Sequence, residues 1–121
     1  MLLAYDDPTG VTAAFNLNLL GRMNRELGAD FDLRKFQHQA VWNEKERRIE
    51  MHLRSSIDQS VSIAEGNFKI AFRAGETIWT ESSHKFQRHE MFEIAEQTGF
   101  RVQAQWVDAE WPFVESLWMV R

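Results

Sequence analysis

A helical pattern opens the chain. Apolar residues recur at every fourth position, and three more widen this stripe into a broad apolar face; they are Val11, Phe15, Leu19, Met23 and Leu27, joined by Ala14, Leu17 and Leu20. Pro8 presets a helical φ just before the pattern, and Asp7 or Thr9 can cap the first free N–H groups. Gly28 is suited to end the helix because glycine adopts the left-handed conformation without steric cost. The pattern predicts one helix over residues 11–27.

The hydrophobic period then changes from about four to two. Apolar and polar side chains alternate in short segments that polar or glycine-containing turns separate, which is typical of half-buried strands. The segments lie at about residues 36–42, 49–54, 61–63, 68–73 and 77–83. Short strands with short connections predict an antiparallel sheet.

The last third predicts a short helix over about residues 88–98, which Gly99 ends, followed by strands over about residues 101–107 and 113–120. No repeat and no Pro/Gly/Ser-rich linker interrupts the chain. The patterns together predict an α+β fold in which the long N-terminal helix packs on an antiparallel sheet.

Composition narrows the possible functions. With 121 residues the chain suits one small domain, and its net charge of −4 argues against a nucleic-acid surface. No apolar run approaches the ~20 residues of a membrane helix, and the first residues lack a signal-peptide pattern. Zero cysteines exclude disulfides and thiolate chemistry. We expect a cytoplasmic protein with no nucleic-acid or membrane partner.

The glycines are dispersed. The 6 glycines are all at least seven residues apart, and neither GxGxxG nor GxxxxGK[ST] occurs. Nucleotide-binding loops cluster glycines so that the backbone can approach a phosphate or ribose. We therefore expect that this chain alone does not hold a nucleotide in the usual α/β manner.

Candidate chemistry is sparse. The 4 histidines form no metal-binding motif, and no serine lies in a nucleophile elbow. Strand alternation predicts that Trp79, Glu81 and Ser83 share one face. A carboxylate and a hydroxyl two residues apart can hold a small polar ligand at two atoms, although a solvated strand face explains the same pattern. The strand pattern predicts that Met51 is a core residue. Tyr5 is expected to be an amphipathic turn residue whose hydroxyl can form hydrogen bonds.

Several blocks resemble one known family. They are AYDDPTGVTAAFNLNLL at residues 4–20, NRELGADF at 24–31, RIEMHL at 48–53 and ETIWTESSHKF at 76–86. In this order they resemble the C-terminal part of the histidine-specific methyltransferases that depend on S-adenosylmethionine (SAM), whose best-known members trimethylate the α-amino group of histidine in ergothioneine biosynthesis. Residues 90–120 resemble, more loosely, the final helix and two strands of a methyltransferase sheet.

The resemblance implies that the two parts of the chain have different functions. It makes residues 1–86 a substrate-recognition region, and residues 87–121 the last α-β-β of a Rossmann-like methyltransferase sheet. The family's glycine-rich donor loop belongs to an earlier half. We therefore expect SAM to be used in the complete enzyme, no residue of this chain to bind it, and the chain alone to be inactive.

The resemblance also implies substrate-binding residues. Glu81 and Ser83 match the residues that hold the imidazole nitrogens of the substrate, Met51 matches a residue lining the pocket of that ring, and Tyr5 matches a tyrosine near the substrate carboxylate. It implies no catalytic nucleophile and no metal ligand. We expect these four residues on one side of the fold, with Met51 and Glu81 on different strands of one antiparallel sheet, and the helix that starts near Val11 closing one end.

Two alternatives to a methyltransferase segment remain open. One is a non-catalytic small-molecule-binding module, and the other is an interaction domain that pairs with a separate donor-binding chain. The C-terminal strands are rich in aromatic residues, namely Trp106, Trp111, Phe113 and Trp118. Because unpaired strand edges and apolar patches promote association, we expect contact with the missing N-terminal half, or a homo-oligomer through these strands.

Overall fold

The computed structural model describes residues 2–121 and divides into two compact units, Met1–His84 and Lys85–Arg121. The first unit contains helix α1 (Val11–Leu27) and strands β1 (Phe36–Asn43), β2 (Arg48–Ser55), β3 (Gln59–Ile63), β4 (Phe68–Phe72) and β5 (Thr77–His84), with 3-10 turns at Leu2–Ala4 and Leu33–Lys35. The second contains α2 (Glu90–Gln97), β6 (Phe100–Val107) and β7 (Val114–Val120). The predicted α+β class is confirmed. The functional division proposed after residue 86 stays a prediction.

Helix α1 begins and ends as predicted. The Asp7 carboxylate accepts the backbone N–H groups of Val11 at 3.1 Å and Thr12 at 2.8 Å, and it also accepts the Thr9 hydroxyl. These hydrogen bonds, the one from Thr9 foremost, hold the pKa of Asp7 well below its usual range. At the other end Gly28 has a φ of 60°. A residue with a side chain would be strained there, so glycine ends the helix.

The rotation of α1 differs from the one that the apolar stripe predicts. Leu20 is fully buried and Asn16 is 7 % exposed, whereas Phe15 is 73 % exposed. The side chains of α1 that belong to the core or pack against it include Leu17, Leu20 and Met23, which follow each other at intervals of three residues. The stripe of every fourth residue therefore leaves much of its apolar surface outside the core.

The sheet of the first unit has the order β1-β2-β5, and both pairings are antiparallel as predicted. Strands β3 and β4 form a separate antiparallel hairpin inserted between β2 and β5. The hairpin is fixed to the segment after α1, where Asp30 accepts the Ser62 N–H at 2.7 Å and Ala29 bridges to Ile63. The strands predicted in sequence are present, but those of residues 2–121 do not form one continuous sheet.

The core of this unit joins the helix, the sheet and the hairpin. Its buried members are Leu20, Phe31, Phe36, Leu53 and Val61. The Phe36 ring lies 5.6 Å from the Phe31 ring and 5.5 Å from the Phe72 ring, centroid to centroid, in edge-to-face contacts. Aromatic rings favour this geometry. The cluster anchors the side of the sheet on which α1 lies.

A β-bulge at Thr80 changes which side chains of β5 share a face, so the prediction for Trp79 and Glu81 is wrong. Met51 lies opposite Glu81, but the next residue, His52, lies opposite Trp79, so Thr80 is an extra residue in β5. Such a bulge reverses the alternation of side chains. Glu81 therefore shares a face with Met51, while Trp79 lies on the opposite face and stacks on His52, with 6.2 Å between ring centroids. Trp79 and Glu81 do not share a face.

The second unit is a helix and a hairpin. Strands β6 and β7 pair antiparallel, and Gly99 has a φ of 83° in the turn between α2 and β6. Ala95 is buried, and the Phe100 and Trp118 rings are 6.0 Å apart. Trp106, Trp111 and Phe113 are each more than half exposed. The elements are those predicted, and much aromatic surface stays uncovered within this unit.

The helices of the described chain, residues 2–121, are too short or too polar to cross a membrane.

Candidate functional site

The four predicted substrate residues lie together in the first unit. Met51 on β2 is directly opposite Glu81 on β5. Ser83 is opposite Ile49, which puts it on the same face of the sheet as Met51. The Tyr5 hydroxyl, from the turn before α1, lies 2.8 Å from Ser83 Oγ. The predicted placement on one side of the fold, with Met51 and Glu81 on neighbouring strands, is confirmed; their roles toward a substrate stay predictions.

A cleft of about 310 Å³ separates α1 from this part of the sheet. The helix lines it with Phe15, Asn16, Asn18, Leu19 and Arg22, and the sheet lines it with Met51, Thr80 and Glu81. Its size is at the lower end for small-molecule pockets, which span about 300–1,000 Å³. Helix α1, which is expected to close one end of the site, forms one wall of the cleft, and Met51 and Glu81 face the same space.

The cleft combines apolar and charged walls. Phe15 and Leu19 of α1 contribute apolar surface that the core leaves exposed. The Glu81 carboxylate supplies a hydrogen-bond acceptor, and Arg22 adds a guanidinium that pairs with Glu26 at 2.9 Å. Such a cleft suits a small ligand that carries both an apolar or aromatic part and N–H donors.

The bulge at Thr80 sets the direction of the Glu81 side chain. The Thr80 hydroxyl donates a hydrogen bond of 2.9 Å to the carbonyl of Met51. On the reverse face the Trp79 indole N–H donates to the Glu81 carbonyl at 3.0 Å, and the Arg48 guanidinium lies 4.5 Å from the centre of the Trp79 ring. These contacts hold the extra residue from both faces of the sheet.

Tyr5 lies closer to the proposed ring-binding residues than the resemblance suggests. The resemblance implies that the Tyr5 hydroxyl lies near the substrate carboxylate and the Ser83 hydroxyl near an imidazole nitrogen. In the structure the two hydroxyl oxygens are within hydrogen-bond distance of each other. The two hydroxyls thus form one polar pair beside the cleft.

Asn16 and His38 are site neighbours that the sequence reasoning did not single out. Asn16 lines the cleft, and its Nδ2 lies 2.9 Å from His38 Nδ1. His38 Nε2 lies 2.7 Å from the Tyr5 carbonyl oxygen. The available signal was an asparagine between the apolar residues Phe15 and Leu17. The sequence offers no such signal for His38, which is one of 4 histidines outside any metal-binding motif.

A polar cluster on the reverse face supports β2. Glu50 accepts hydrogen bonds from Asn43 Nδ2 at 2.9 Å and Arg48 Nε at 2.8 Å, and His52 Nε2 is 3.3 Å from its second oxygen. These contacts, that of Asn43 foremost, lower the pKa of Glu50 to about 2. Glu50 is therefore a structural carboxylate, and Glu81 is the one that meets the cleft.

A metal centre and a Rossmann-type donor site each require a particular arrangement of the described residues. No group of three or more His, Cys, Asp or Glu that could hold a metal occurs within residues 2–121. Every strand pairing in that range is antiparallel, whereas a Rossmann-type donor site forms at the ends of parallel strands. The described strand pairings thus do not provide the parallel-strand edge at which a Rossmann-type donor site forms.

The profile of one protein family matches residues 1–120, and its description is "Histidine-specific methyltransferase, SAM-dependent". The chain belongs to this family. The resemblance inferred from the sequence blocks is thereby confirmed, and SAM dependence is a property of the family. The residues that this family profile matches include those that line the cleft and all four predicted substrate residues.

Two curated relatives support the assignment to this family. The chain is 45 % identical over 117 residues to a histidine N-alpha-methyltransferase of Mycolicibacterium smegmatis. It is 44 % identical over 117 residues to a protein of the same name from Mycobacterium tuberculosis. Each match covers 97 % of this chain but 36 % of the relative. The chain thus spans about a third of the length of these methyltransferases.

Proposed function

We propose that this chain supplies the amino-acid site of a SAM-dependent methyltransferase that acts on the α-amino group of histidine or a related amino acid. The observation that carries the proposal is the direct opposition of Met51 and Glu81 on one cleft. The Tyr5–Ser83 pair beside them adds hydroxyl groups. Family membership supports the reaction type, and the cleft supports the substrate class.

Glu81 and Ser83 recognise the imidazole in this proposal. The Glu81 carboxylate accepts one imidazole N–H in a charge-assisted hydrogen bond, and the Ser83 hydroxyl donates to the other ring nitrogen. Met51 covers the ring, and Phe15 adds apolar surface on the helix side of the cleft. An imidazole has one donor and one acceptor nitrogen when neutral, so a carboxylate and a hydroxyl together match it.

Tyr5 orients the substrate end of this arrangement. Its hydroxyl carries one proton, which it can donate to a substrate carboxylate while the Ser83 hydroxyl donates its own proton to the imidazole. None of the four residues acts as a nucleophile or base. Their contribution is to hold a neutral amine in one orientation, and orientation accounts for much of the rate of a group transfer.

SAM supplies an electrophilic methyl group on a sulfonium. We propose that its binding site lies outside this chain, that residues 87–121 complete a Rossmann-like sheet as its last helix and two strands, and that the chain alone is inactive. The dispersed glycines and the exposed aromatic surface of β6 and β7 support this assignment. The cysteine-free composition supports a cytoplasmic location.

A second candidate is a non-catalytic binding or interaction module that pairs with a separate chain. The exposed Trp106, Trp111 and Phe113 favour it, because they suit a protein surface better than solvent. A chimera separates the candidates. In it, this chain replaces the matching segment of the Mycolicibacterium smegmatis relative, and methylation of histidine is measured. A folded chimera without activity would contradict the methyltransferase proposal.

Glu81→Ala in the active chimera tests the ring-binding role. A hydrogen bond to a charged group contributes roughly 1.5–3 kcal/mol, so we expect histidine binding to weaken by about one to two orders of magnitude. Ser83→Ala removes a neutral bond of about 0.5–1.5 kcal/mol and is expected to cost less. Calorimetry with histidine measures both, and SAM affinity is expected to change little.

Two controls accompany these variants. Glu65→Ala, at an exposed carboxylate in the β3–β4 turn, is expected to leave histidine affinity unchanged. An amino acid without an imidazole serves as the second ligand. Equal losses for both ligands in Glu81→Ala would show that Glu81 is structural.

A further inference from the structure

A chain of hydrogen bonds crosses the first unit just behind the cleft. His38 Nε2 lies 2.7 Å from the Tyr5 carbonyl oxygen, and His38 Nδ1 lies 2.9 Å from Asn16 Nδ2. The same Nδ2 donates to the His52 carbonyl at 3.2 Å. The chain therefore connects the N-terminal turn, β1, α1 and β2.

The two terminal carbonyls determine where every proton in this chain lies. A carbonyl oxygen can only accept, so the nitrogen of Asn16 must face His52 and the oxygen of its amide must face elsewhere. Asn16 then presents an N–H to His38 Nδ1, which must accept it. His38 consequently carries its proton on Nε2 and donates it to the Tyr5 carbonyl. One neutral tautomer satisfies all three contacts.

The position of this network is informative. Asn16 is 7 % exposed and is one of two buried polar residues in the described part of the chain. It also lines the cleft together with Met51 and Glu81. A buried amide in a helix face that otherwise packs leucines is costly unless its hydrogen bonds are made. Here they are made to a histidine whose other nitrogen holds Tyr5.

We propose that His38, held in its Nε2–H tautomer by Asn16, is a positioning residue that fixes the Tyr5 hydroxyl against Ser83 in the substrate site. The tether acts on the Tyr5 backbone, so it sets where the phenol can reach. Tyr5 lies in a turn outside α1, where the His38 bond supplies a fixed point from β1. The proposal rests on the proposed function, because it concerns residues of that substrate site.

Two substitutions separate the two halves of the imidazole. The amide nitrogen of glutamine approximates the position of Nε2, and the amide oxygen of asparagine approximates that of Nδ1. His38→Gln therefore keeps a donor for the Tyr5 carbonyl and loses the partner of Asn16. His38→Asn keeps an acceptor for Asn16 and loses the tether. Each variant loses one hydrogen bond, so each controls for general destabilisation in the other.

The first readout needs no substrate. Tyr5 is the only tyrosine among the 121 residues, so its ring signals are unambiguous in an NMR spectrum of the chain. We expect the Overhauser contact between the Tyr5 ring and Ser83 to persist in His38→Gln and to disappear in His38→Asn. Nitrogen-15 spectra of the unsubstituted chain are expected to show the Nε2–H tautomer of His38. An Nδ1–H tautomer, or equal Tyr5–Ser83 contacts in both variants, would overturn the proposal.

The second readout is histidine affinity in the chimera. Loss of one neutral hydrogen bond that orients a site residue corresponds to a change of a few-fold to about tenfold. We expect that loss in His38→Asn and a smaller one in His38→Gln, at similar thermal stability. If both variants bind histidine equally, His38 does not position the site. Glu81→Ala tests the proposed function separately, because it leaves the His38 network intact.

Discussion

At the scale of single residues, two carboxylates of one sheet have different tasks because their surroundings differ. Glu50 on the reverse face of β2 accepts hydrogen bonds from Asn43 and Arg48 of its own sheet, and its pKa falls to about 2. Glu81 faces the cleft and is more exposed. A carboxylate already satisfied by the protein has little to offer a ligand. The contrast supports Glu81 as the ligand-binding group.

Glu50 also links stability to pH. Its ordinary pKa of 4.5 is lowered in the folded chain, so the unfolded chain binds the proton more strongly. The stabilisation is complete above about pH 4.5 and is lost as the pH falls toward about 2. We expect the free energy of unfolding to decline over that window, and to decline less in Glu50→Gln. Urea unfolding at several pH values measures it.

The pKa of Asp7 is also lowered in the folded chain. The free energy of unfolding of Glu50→Gln is therefore still expected to decline somewhat at low pH. Glu65→Gln, at an exposed carboxylate, is the matched control and is expected to follow the unsubstituted chain. A Glu50→Gln variant that keeps the full decline would show that Glu50 contributes nothing to it.

At the scale of elements, the bulge in β5 is the feature that creates the site. Without the extra residue at Thr80, the alternation of β5 would not put both Ile78 and Glu81 on the face of Leu53 and Met51. The bulge allows Ile78 to pack against the core while Glu81 reaches the cleft. Bulges often redirect side chains next to functional sites in this way.

Thr80→Val tests this element. The substitution keeps the shape but removes the hydroxyl that donates to the Met51 carbonyl at 2.9 Å. We expect a stability loss of about 0.5–1.5 kcal/mol and weaker histidine binding in the chimera, because the bulge is less firmly held. Thr80→Ser keeps the hydroxyl and is the control. If the two variants bind histidine equally well, the Thr80 hydroxyl does not control the direction of the Glu81 side chain.

At the scale of the whole molecule, the chain carries the cleft that we propose as the substrate site, and every strand pairing in residues 2–121 is antiparallel. Its matched relatives are about three times as long, since the matches cover 36 % of each. A methyltransferase needs a substrate site and a donor site in one assembly. The donor half must therefore come from other residues if the proposed function holds.

Calorimetry tests the donor assignment. We expect the 121-residue chain to show no useful affinity for SAM, because no glycine-rich loop is present to receive it. The chimera, which contains the other two thirds of the relative, is the positive control and is expected to bind SAM. Micromolar binding by the chain alone would place a donor site within it and refute this assignment.

The aromatic surface of the second unit leads to a prediction about assembly. We expect the isolated chain to form dimers or larger species through β6 and β7, because Trp106 is 56 % exposed and Trp111 is 71 % exposed. Light scattering over a range of concentrations measures the mass. Trp106→Lys is expected to shift it toward the monomer. Leu3→Lys, at a 72 % exposed residue of the first unit, is expected not to. A monomer at every concentration would contradict the prediction.

Local interactions made the helices and strands predictable from the sequence alone. The Asp7 cap and the left-handed Gly28 act within a few residues of the helix ends, so the bounds of α1 could be predicted correctly. Alternation and turns identified the strands for the same reason. The blocks around Tyr5, Met51 and Glu81 were specific enough to indicate the family without any structure.

The tertiary structure alone decided which faces meet. Periodicity defines an apolar stripe, but contacts distant in sequence choose the rotation of α1, and they chose Leu20 over Phe15 for the core. The bulge at Thr80 arises from pairing with β2 and has no local signal, so the face of Trp79 was mispredicted. The bonds from Asn16 to His38 and from His38 to Tyr5 span 22 and 33 positions. No local pattern encodes such pairs, because their partners come together only when the helix packs on the sheet.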